Sequence, residues 1–155
     1  MKNKLVIVTG ASSGIGRACA EKFAQEGANL VLAARSADKL NEVAKNVVRY
    51  GVQVLPVVTD VTVEEDCKNL VEKALIKFGK IDVLVNNAGI SMRASFSELD
   101  ISVLKKVMDV NFWGTIYCTR HAIASLLENK GSVVGVSSIA GYKGLPGRTG
   151  YSSSK

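Results

Sequence analysis

Leu5-Val6-Ile7-Val8 runs directly into Thr9-Gly10-Ala11-Ser12-Ser13-Gly14-Ile15-Gly16, and helix-like sequence follows. The apolar run reads as a buried strand. The three glycines let the backbone turn sharply and come close to an anion such as a pyrophosphate. A helix beginning near Ser13 or Gly14 aims its unpaired N–H groups and the positive end of its dipole at the same spot. The stretch is a candidate phosphate cradle, with Gly10, Ser12, Ser13, Gly14, Ile15 and Gly16 as its binding residues. An ordinary strand-to-helix turn can look the same, so the rest of the chain has to decide.

Downstream, strand and helix patterns alternate. Ile15, Cys19 and Phe23 recur every four residues with Ala18 beside them, which predicts a helix with one buried face ending at Gly27. Asn29 to Ala34 reads as strand two. Ser36 is placed to cap a second helix, whose stripe of Leu40, Val43, Ala44, Val47 and Val48 stops at Gly51. Val52 to Val58 is strand three. Thr62-Val63-Glu64-Glu65 has the form of a capping box, and Cys67, Leu70, Val71, Ala74, Leu75 and Phe78 trace the inner face of a third helix closed by Gly79. Ile81 to Val85 is strand four, followed by a polar stretch from Asn86 to Leu99. A helical segment then places Leu104, Val107 and Met108 inward, breaks at Asn111, and resumes through Ile123, Leu126 and Leu127 to Lys130-Gly131. Ser132 to Ser137 is strand five, and Gly141, Gly144, Pro146, Gly147 and Gly150 punctuate a loop. Tyr151 to Lys155 reads as the first turn of a further helix.

This alternation implies a Rossmann-like doubly wound α/β fold, a single domain over residues 1–155 with helices on both faces of a parallel sheet in the order 3-2-1-4-5. In such a sheet a ligand sits outside the carboxyl ends of the strands, beside strand one. The unusual polar residues fall there: Thr9-Gly10, Arg35, Asp60-Val61, Asn86-Asn87-Ala88-Gly89 and Ser137-Ser138 each follow a predicted strand.

Composition excludes several classes. With 47% apolar and 22% charged residues the chain is an ordinary globule, and at 155 residues about 70% of the unfolded surface can be buried in one core. The net charge of +6 is scattered among acids, without a basic stripe or interleaved aromatics, so no nucleic-acid partner is expected. Cys19, Cys67 and Cys118 are far apart and odd in number, which suggests reduced core thiols. His121 has no partner at ligand spacing, so no metal is expected. Met1-Lys2-Asn3-Lys4 imitates the start of a signal peptide, but the apolar run after it is too short for one. No stretch approaches the roughly 20 residues of a membrane span, and a cytoplasmic protein is expected.

The strand-end residues suggest a chemistry. An acid after strand two would bind a ribose 2'-hydroxyl, but Ala33-Ala34-Arg35 offers a guanidinium, which favours a 2'-phosphate and hence NADP, with NAD as the alternative. Ser12 or Ser13 can donate further hydrogen bonds to that phosphate. Tyr151 and Lys155 stand four apart, so on a helix both project from one face. A phenol is a poor base at neutral pH, and a nearby ammonium favours its ionised form, so Tyr151 becomes a candidate acid/base. Ser138, or its neighbour Ser137, can hydrogen-bond a substrate oxygen whose charge changes during reaction. Asn111 either frees a backbone carbonyl, holds a water, or simply breaks the helix. Phe112, Trp113 and Tyr117 read as core or helix-interface residues.

Taken together, the glycine turn, Asp60, Asn86-Asn87-Ala88-Gly89, Asn111, Ser138 and Tyr151-Ser152-Ser153-Ser154-Lys155 resemble the short-chain dehydrogenase/reductase family over essentially the whole chain. The Gly-x-x-x-Gly-x-Gly spacing is similar to that of the single-domain branch. The resemblance implies reversible hydride transfer between a nicotinamide and a secondary alcohol or carbonyl substrate, with Tyr151 as acid/base and Lys155 holding the nicotinamide ribose. It further implies that Ser138 orients the substrate oxygen and Asn111 anchors a water. Asp60 with Val61 would contact the adenine, and Asn87, Ala88 and Gly89 would wall the pocket. It also implies a homodimer or homotetramer. Members of that family are longer, so a shortened chain is expected, lacking two strands and the substrate-covering segment and leaving strand five as an exposed edge. A nucleotide-binding fragment without turnover is the competing expectation. An epimerase or dehydratase is a third, though its glycine spacing usually differs.

Overall fold

A computed structural model describes all residues from Met1 to Lys155. Its parallel sheet contains β1 (Leu5–Thr9), β2 (Asn29–Ala34), β3 (Val54–Val58), β4 (Val83–Asn86) and β5 (Ser132–Gly135), in the order β3-β2-β1-β4-β5. The central strand β1 is paired on both sides, with Val8 opposite Leu32 of β2 and Val85 of β4. Side chains alternate along it, as strand geometry requires. Leu5 and Ile7 enter the core under α3 (Glu64–Phe78) and α5 (Gly114–Glu128). Val6 and Val8 enter the opposite core under α1 (Gly14–Gln25) and α2 (Ala37–Val48). Every residue of β1 is buried, which is why its sequence is apolar without polar alternation.

At the amino end of the sheet the buried Asp82 carboxylate accepts the Leu5 N–H (2.8 Å) and pairs with Lys4 (2.7 Å) and Lys80 (3.1 Å). Burial alone would raise its pKa, but these donors outweigh that and hold it below the ordinary carboxylate value. At the other end of β1, the Thr9 hydroxyl donates to Val85 O (3.3 Å) and accepts the N–H groups of Asn87 and Ala88, both at 3.0 Å. Strands β1 and β4 are thus tied at both ends by polar side chains.

Several local expectations are corrected. The face of α1 against the sheet is Gly16, Ala20 and Ala24, while Ile15 is 63% exposed and Cys19 and Phe23 are only half-buried. The glycine turn brings this helix so close to the sheet that only small residues fit beneath it. The capping box before α3 does not form: Val63 occupies the cap, and the Thr62 hydroxyl and N–H both donate to Asp60 Oδ1 (2.8 and 3.0 Å). Asp66 of the first turn instead reaches back to accept the Asp60 N–H (2.9 Å). Ser36 stands at the N-cap of α2 without a side-chain capping bond.

The break at Asn111 is a wide helical turn. Helix α4 (Ile101–Met108) passes through a π turn at Asp109–Trp113 and continues as α5 without a gap. The buried stripe of α5 is Gly114, Cys118, Ala122 and Leu126, so the expected inward Ile123 and Leu127 are exposed instead. Cys118 and Cys67 are both inaccessible, and the neighbouring Cys67 thiol, with burial, pushes the Cys118 thiol above its ordinary pKa. Two short helices, α6 (Ile139–Tyr142) and α7 (Thr149–Ser153), complete the chain after β5, whose four residues are all exposed. No helix is long and apolar enough to cross a membrane.

Candidate functional site

A cavity of about 580 Å³ opens at the carboxyl ends of all five strands. Its first wall is the glycine turn. Gly10 has φ +64°, and a Cβ there would stand 2.9 Å from the Ala88 Cα, so only glycine lets the turn approach the end of β4 this closely. Gly16 lies behind the turn and outside the cavity wall. A Cβ on it would collide with Gly10 O and come within 2.5 Å of Asn87 Nδ2. Its contribution to the site is therefore close helix-to-strand contact. Asn87 Nδ2 donates to Thr9 O (2.9 Å) and Gly10 O (3.3 Å), so that side chain holds the turn in shape. Ser12, Ser13, Gly14 and Ile15 line the cavity at the start of α1.

The second wall follows β2 and β3. Arg35, Ser36 and Lys39 line it, and neither Arg35 nor Lys39 has a carboxylate partner. By contrast Arg17, nearby on α1, is held by Glu21 and Glu42, both at 3.1 Å. Asp60 and Val61 also line the wall, with one carboxylate oxygen of Asp60 committed to Thr62. Ala88 and Gly89 continue it beyond β4.

The third wall is formed by Val136, Ser137, Tyr151 and Lys155. Lys155 Nζ donates to Val136 O (2.8 Å) and lies 6.0 Å from the centroid of the Tyr151 ring. Ser137 Oγ donates to Lys155 O (3.0 Å). Of the two candidate serines it is Ser137 that reaches the cavity wall, whereas Ser138 is the N-cap of α6 and accepts the Ala140 N–H (3.2 Å).

Asn111 stands behind this wall and ties three elements together. Its Oδ1 accepts the Ile90 N–H (2.8 Å), while its Nδ2 donates to Ile90 O (2.9 Å) and to the buried Ser154 Oγ (2.8 Å). Its backbone carbonyl accepts the Thr115 hydroxyl (3.0 Å). The π turn therefore positions a side chain that joins the loop after β4 to the helix carrying Tyr151. A Cβ on Gly89 would lie 3.2 Å from Asn111 Oδ1 and 3.3 Å from Lys155 Nζ, so these two groups converge on one spot.

Sequence reasoning did not assign Lys39 to the site. Lys39 carried a usable signal, since it lies one helical turn beyond Arg35 at the same strand end.

A glycine turn, unpaired cations and a Tyr/Lys pair line one cavity at the switch point of an open parallel sheet, which defines a Rossmann-type α/β domain with a candidate ligand site beside its central strand. The chain belongs to the short-chain dehydrogenase family, whose sequence model matches residues 4–155. It is 41% identical over 157 residues to the 11-beta-hydroxysteroid dehydrogenase-like 4A of Arabidopsis thaliana, covering 100% of this chain and 52% of the relative. It is 41% identical over 161 residues to a dehydrogenase/reductase SDR family protein 7-like of Dictyostelium discoideum, covering 99% and 51%. The chain spans about half the length of these curated relatives. Among solved structures it resembles the alcohol dehydrogenase of Thermococcus sibiricus complexed with 5-hydroxy-NADP, with TM-score 0.95 and 32% identity over 97% of this chain and 65% of that one. It also resembles an NAD+-bound xylitol dehydrogenase, with TM-score 0.96 and 31% identity over 99% and 60%.

Proposed function

We propose that the protein is an NADP(H)-dependent oxidoreductase that interconverts an alcohol, a secondary one above all, with the corresponding ketone or aldehyde. The observation that carries this reading is that Tyr151 and Lys155 wall the same cavity as the glycine turn. The cavity fits a dinucleotide: the turn at Gly10 has no room for a side chain, the start of α1 faces the space, and the two cations beside it are unpaired. Gly10, Ser12, Ser13, Gly14 and Ile15 would hold the pyrophosphate. Asp60, Val61 and the Asn87-Ala88-Gly89 run would enclose the adenine and its ribose. Among the similar structures one carries an NADP derivative and another NAD+, so the choice of NADP rests on Arg35.

When bound, the nicotinamide supplies or receives a hydride at the substrate carbon. The chain's own residues manage the oxygen. Tyr151 donates or takes the hydroxyl proton. Lys155 holds the ribose and keeps a positive charge beside the phenol. Ser138 orients the substrate oxygen, which requires its hydroxyl to turn from the α6 cap; Ser137 competes for that role from the wall itself. Asn111 holds Ile90 and Ser154, and through them the helix that bears Tyr151, with Lys155 just past its last turn. The exposed Phe112, Trp113 and Ile116 on α5 and its entering turn suit a homodimer or homotetramer.

Replacing Tyr151 with Phe is expected to lower kcat by about 100-fold or more while NADPH binding, read from its fluorescence, is unchanged. Retained turnover would remove Tyr151 from the mechanism. Arg35→Asp is expected to move cofactor preference towards NADH by about tenfold or more, and an unchanged NADPH to NADH ratio of kcat/KM would reject Arg35 as the phosphate reader.

A further inference from the structure

Arg148 is the one side chain that bridges the loop after β4 and the ring of Tyr151. Its Nη1 donates to Ser91 Oγ, and Ser91 lines the cavity. Its guanidinium carbon lies 5.7 Å from the centroid of the Tyr151 ring, close to the 6.0 Å at which Lys155 Nζ stands. No carboxylate pairs with it, so this geometry is not dictated by a salt bridge. The backbone repeats the same bridge: Ala94 N donates to Gly147 O (3.0 Å), and Arg148 O accepts the Ser152 N–H (2.7 Å) in the first turn of α7. Residue 148 therefore begins the helix that carries the phenol and, through its side chain, grips the opposite loop. A guanidinium suits both tasks, because its plane can lie near an aromatic ring while one edge donates sideways.

We propose that Arg148 is a positioning residue for the reaction at Tyr151: it fixes the loop at Ser91, against which the substrate lies, at a set distance from the phenol. The proposal rests on the reading of Tyr151 as the acid/base. Misplacement of reacting groups by about an ångström lowers turnover far more than it weakens binding of a cofactor held elsewhere. The effect of Arg148 therefore falls on kcat and passes through Ser91.

The test uses the intact protein with NADPH and the fastest-reduced ketone from a panel of aliphatic, aromatic and steroid ketones. Arg148→Ala and Ser91→Ala are each expected to lower kcat by about tenfold, with KM changed less than about threefold and NADPH affinity unchanged. The double variant is expected to be no slower than Arg148→Ala, because both substitutions cut one link. Arg148→Lys, which keeps a donor and a charge, is expected to recover at least about a third of the wild-type kcat. In both alanine variants amide exchange is expected to quicken at Ala94, the residue bonded to Gly147. Wild-type kcat in Arg148→Ala, multiplicative losses in the double variant, or a loss of NADPH affinity would each overturn the proposal. Tyr151→Phe is run beside them: if it remains active the acid/base reading fails, whereas an inactive Tyr151→Phe with a wild-type-like Arg148→Ala rejects Arg148 alone. Ser91→Ala also keeps the test open should Arg148→Ala fold poorly.

Discussion

The glycine-turn side of the cavity and the Tyr151 side are built from different materials. On the first, β1 is paired on both flanks, the turn presses on Ala88, and Thr9 and Asn87 spend their polar atoms on backbone groups. On the second, the groups around Tyr151 are joined one to another by single hydrogen bonds. A handful of polar links holds that side: Asn111 to Ser154, Lys155 to Val136, Ser137 to Lys155, and Arg148 to Ser91. The glycine wall thus inherits its shape from the core, whereas the wall carrying the phenol is set by individual hydrogen bonds. Damage to the first should register as lost stability. Damage to the second should register as lost geometry in a folded protein.

The sharpest way to break this contrast is Gly16→Ala. The added methyl has no space between Gly10 O and Asn87, so unfolding free energy is expected to drop by about 3 kcal/mol with NADPH binding lost, as read by urea titration and cofactor fluorescence. A variant of normal stability would mean that the turn yields more easily than its contacts imply. Asn111→Ala removes three hydrogen bonds and strands the Ile90 N–H, for an expected loss of about 2 kcal/mol, with faster amide exchange in residues 149–155 than in β1. Equal quickening in both regions would erase the distinction between the walls. The smallest effect is expected of Gly14→Ala, where φ is +53° but nothing lies within 4 Å of the new methyl. There the cost is backbone strain alone, about 1 kcal/mol, so its midpoint should lie well above that of Gly16→Ala.

Much of this was legible beforehand because it rests on long-range consistency. Strand order, the turn at Gly10, the strand-end position of Arg35 and the irregularity at Asn111 all follow from where apolar runs stop and polar residues begin. What was missed depends on distances that periodicity does not encode. Large apolar residues attract attention, so Ile15, Cys19 and Phe23 looked like the buried face of α1, although closeness to the sheet selects Gly16, Ala20 and Ala24. The box at Thr62 had the right letters, but Asp60 two residues earlier captured its hydroxyl. Ser137 and Ser138 are neighbours at one strand end with different partners, and no sequence pattern says which of them meets the cavity.

The π turn at Asp109–Trp113 also acts as a phase shifter. An α-helix advances about 100° per residue, so one extra residue in a turn rotates everything after it by about that angle relative to what comes before. Ile123 and Leu127 point to solvent, and Cys118, Ala122 and Leu126 to the core, on the far side of that offset. Removing one residue from the turn would give a more regular helix and a worse protein, since the buried stripe of α5 and the side chain of Asn111 could not both keep their partners. The irregularity lets a single rod serve two clients, the core along α5 and the helix of Tyr151 beside Ser154.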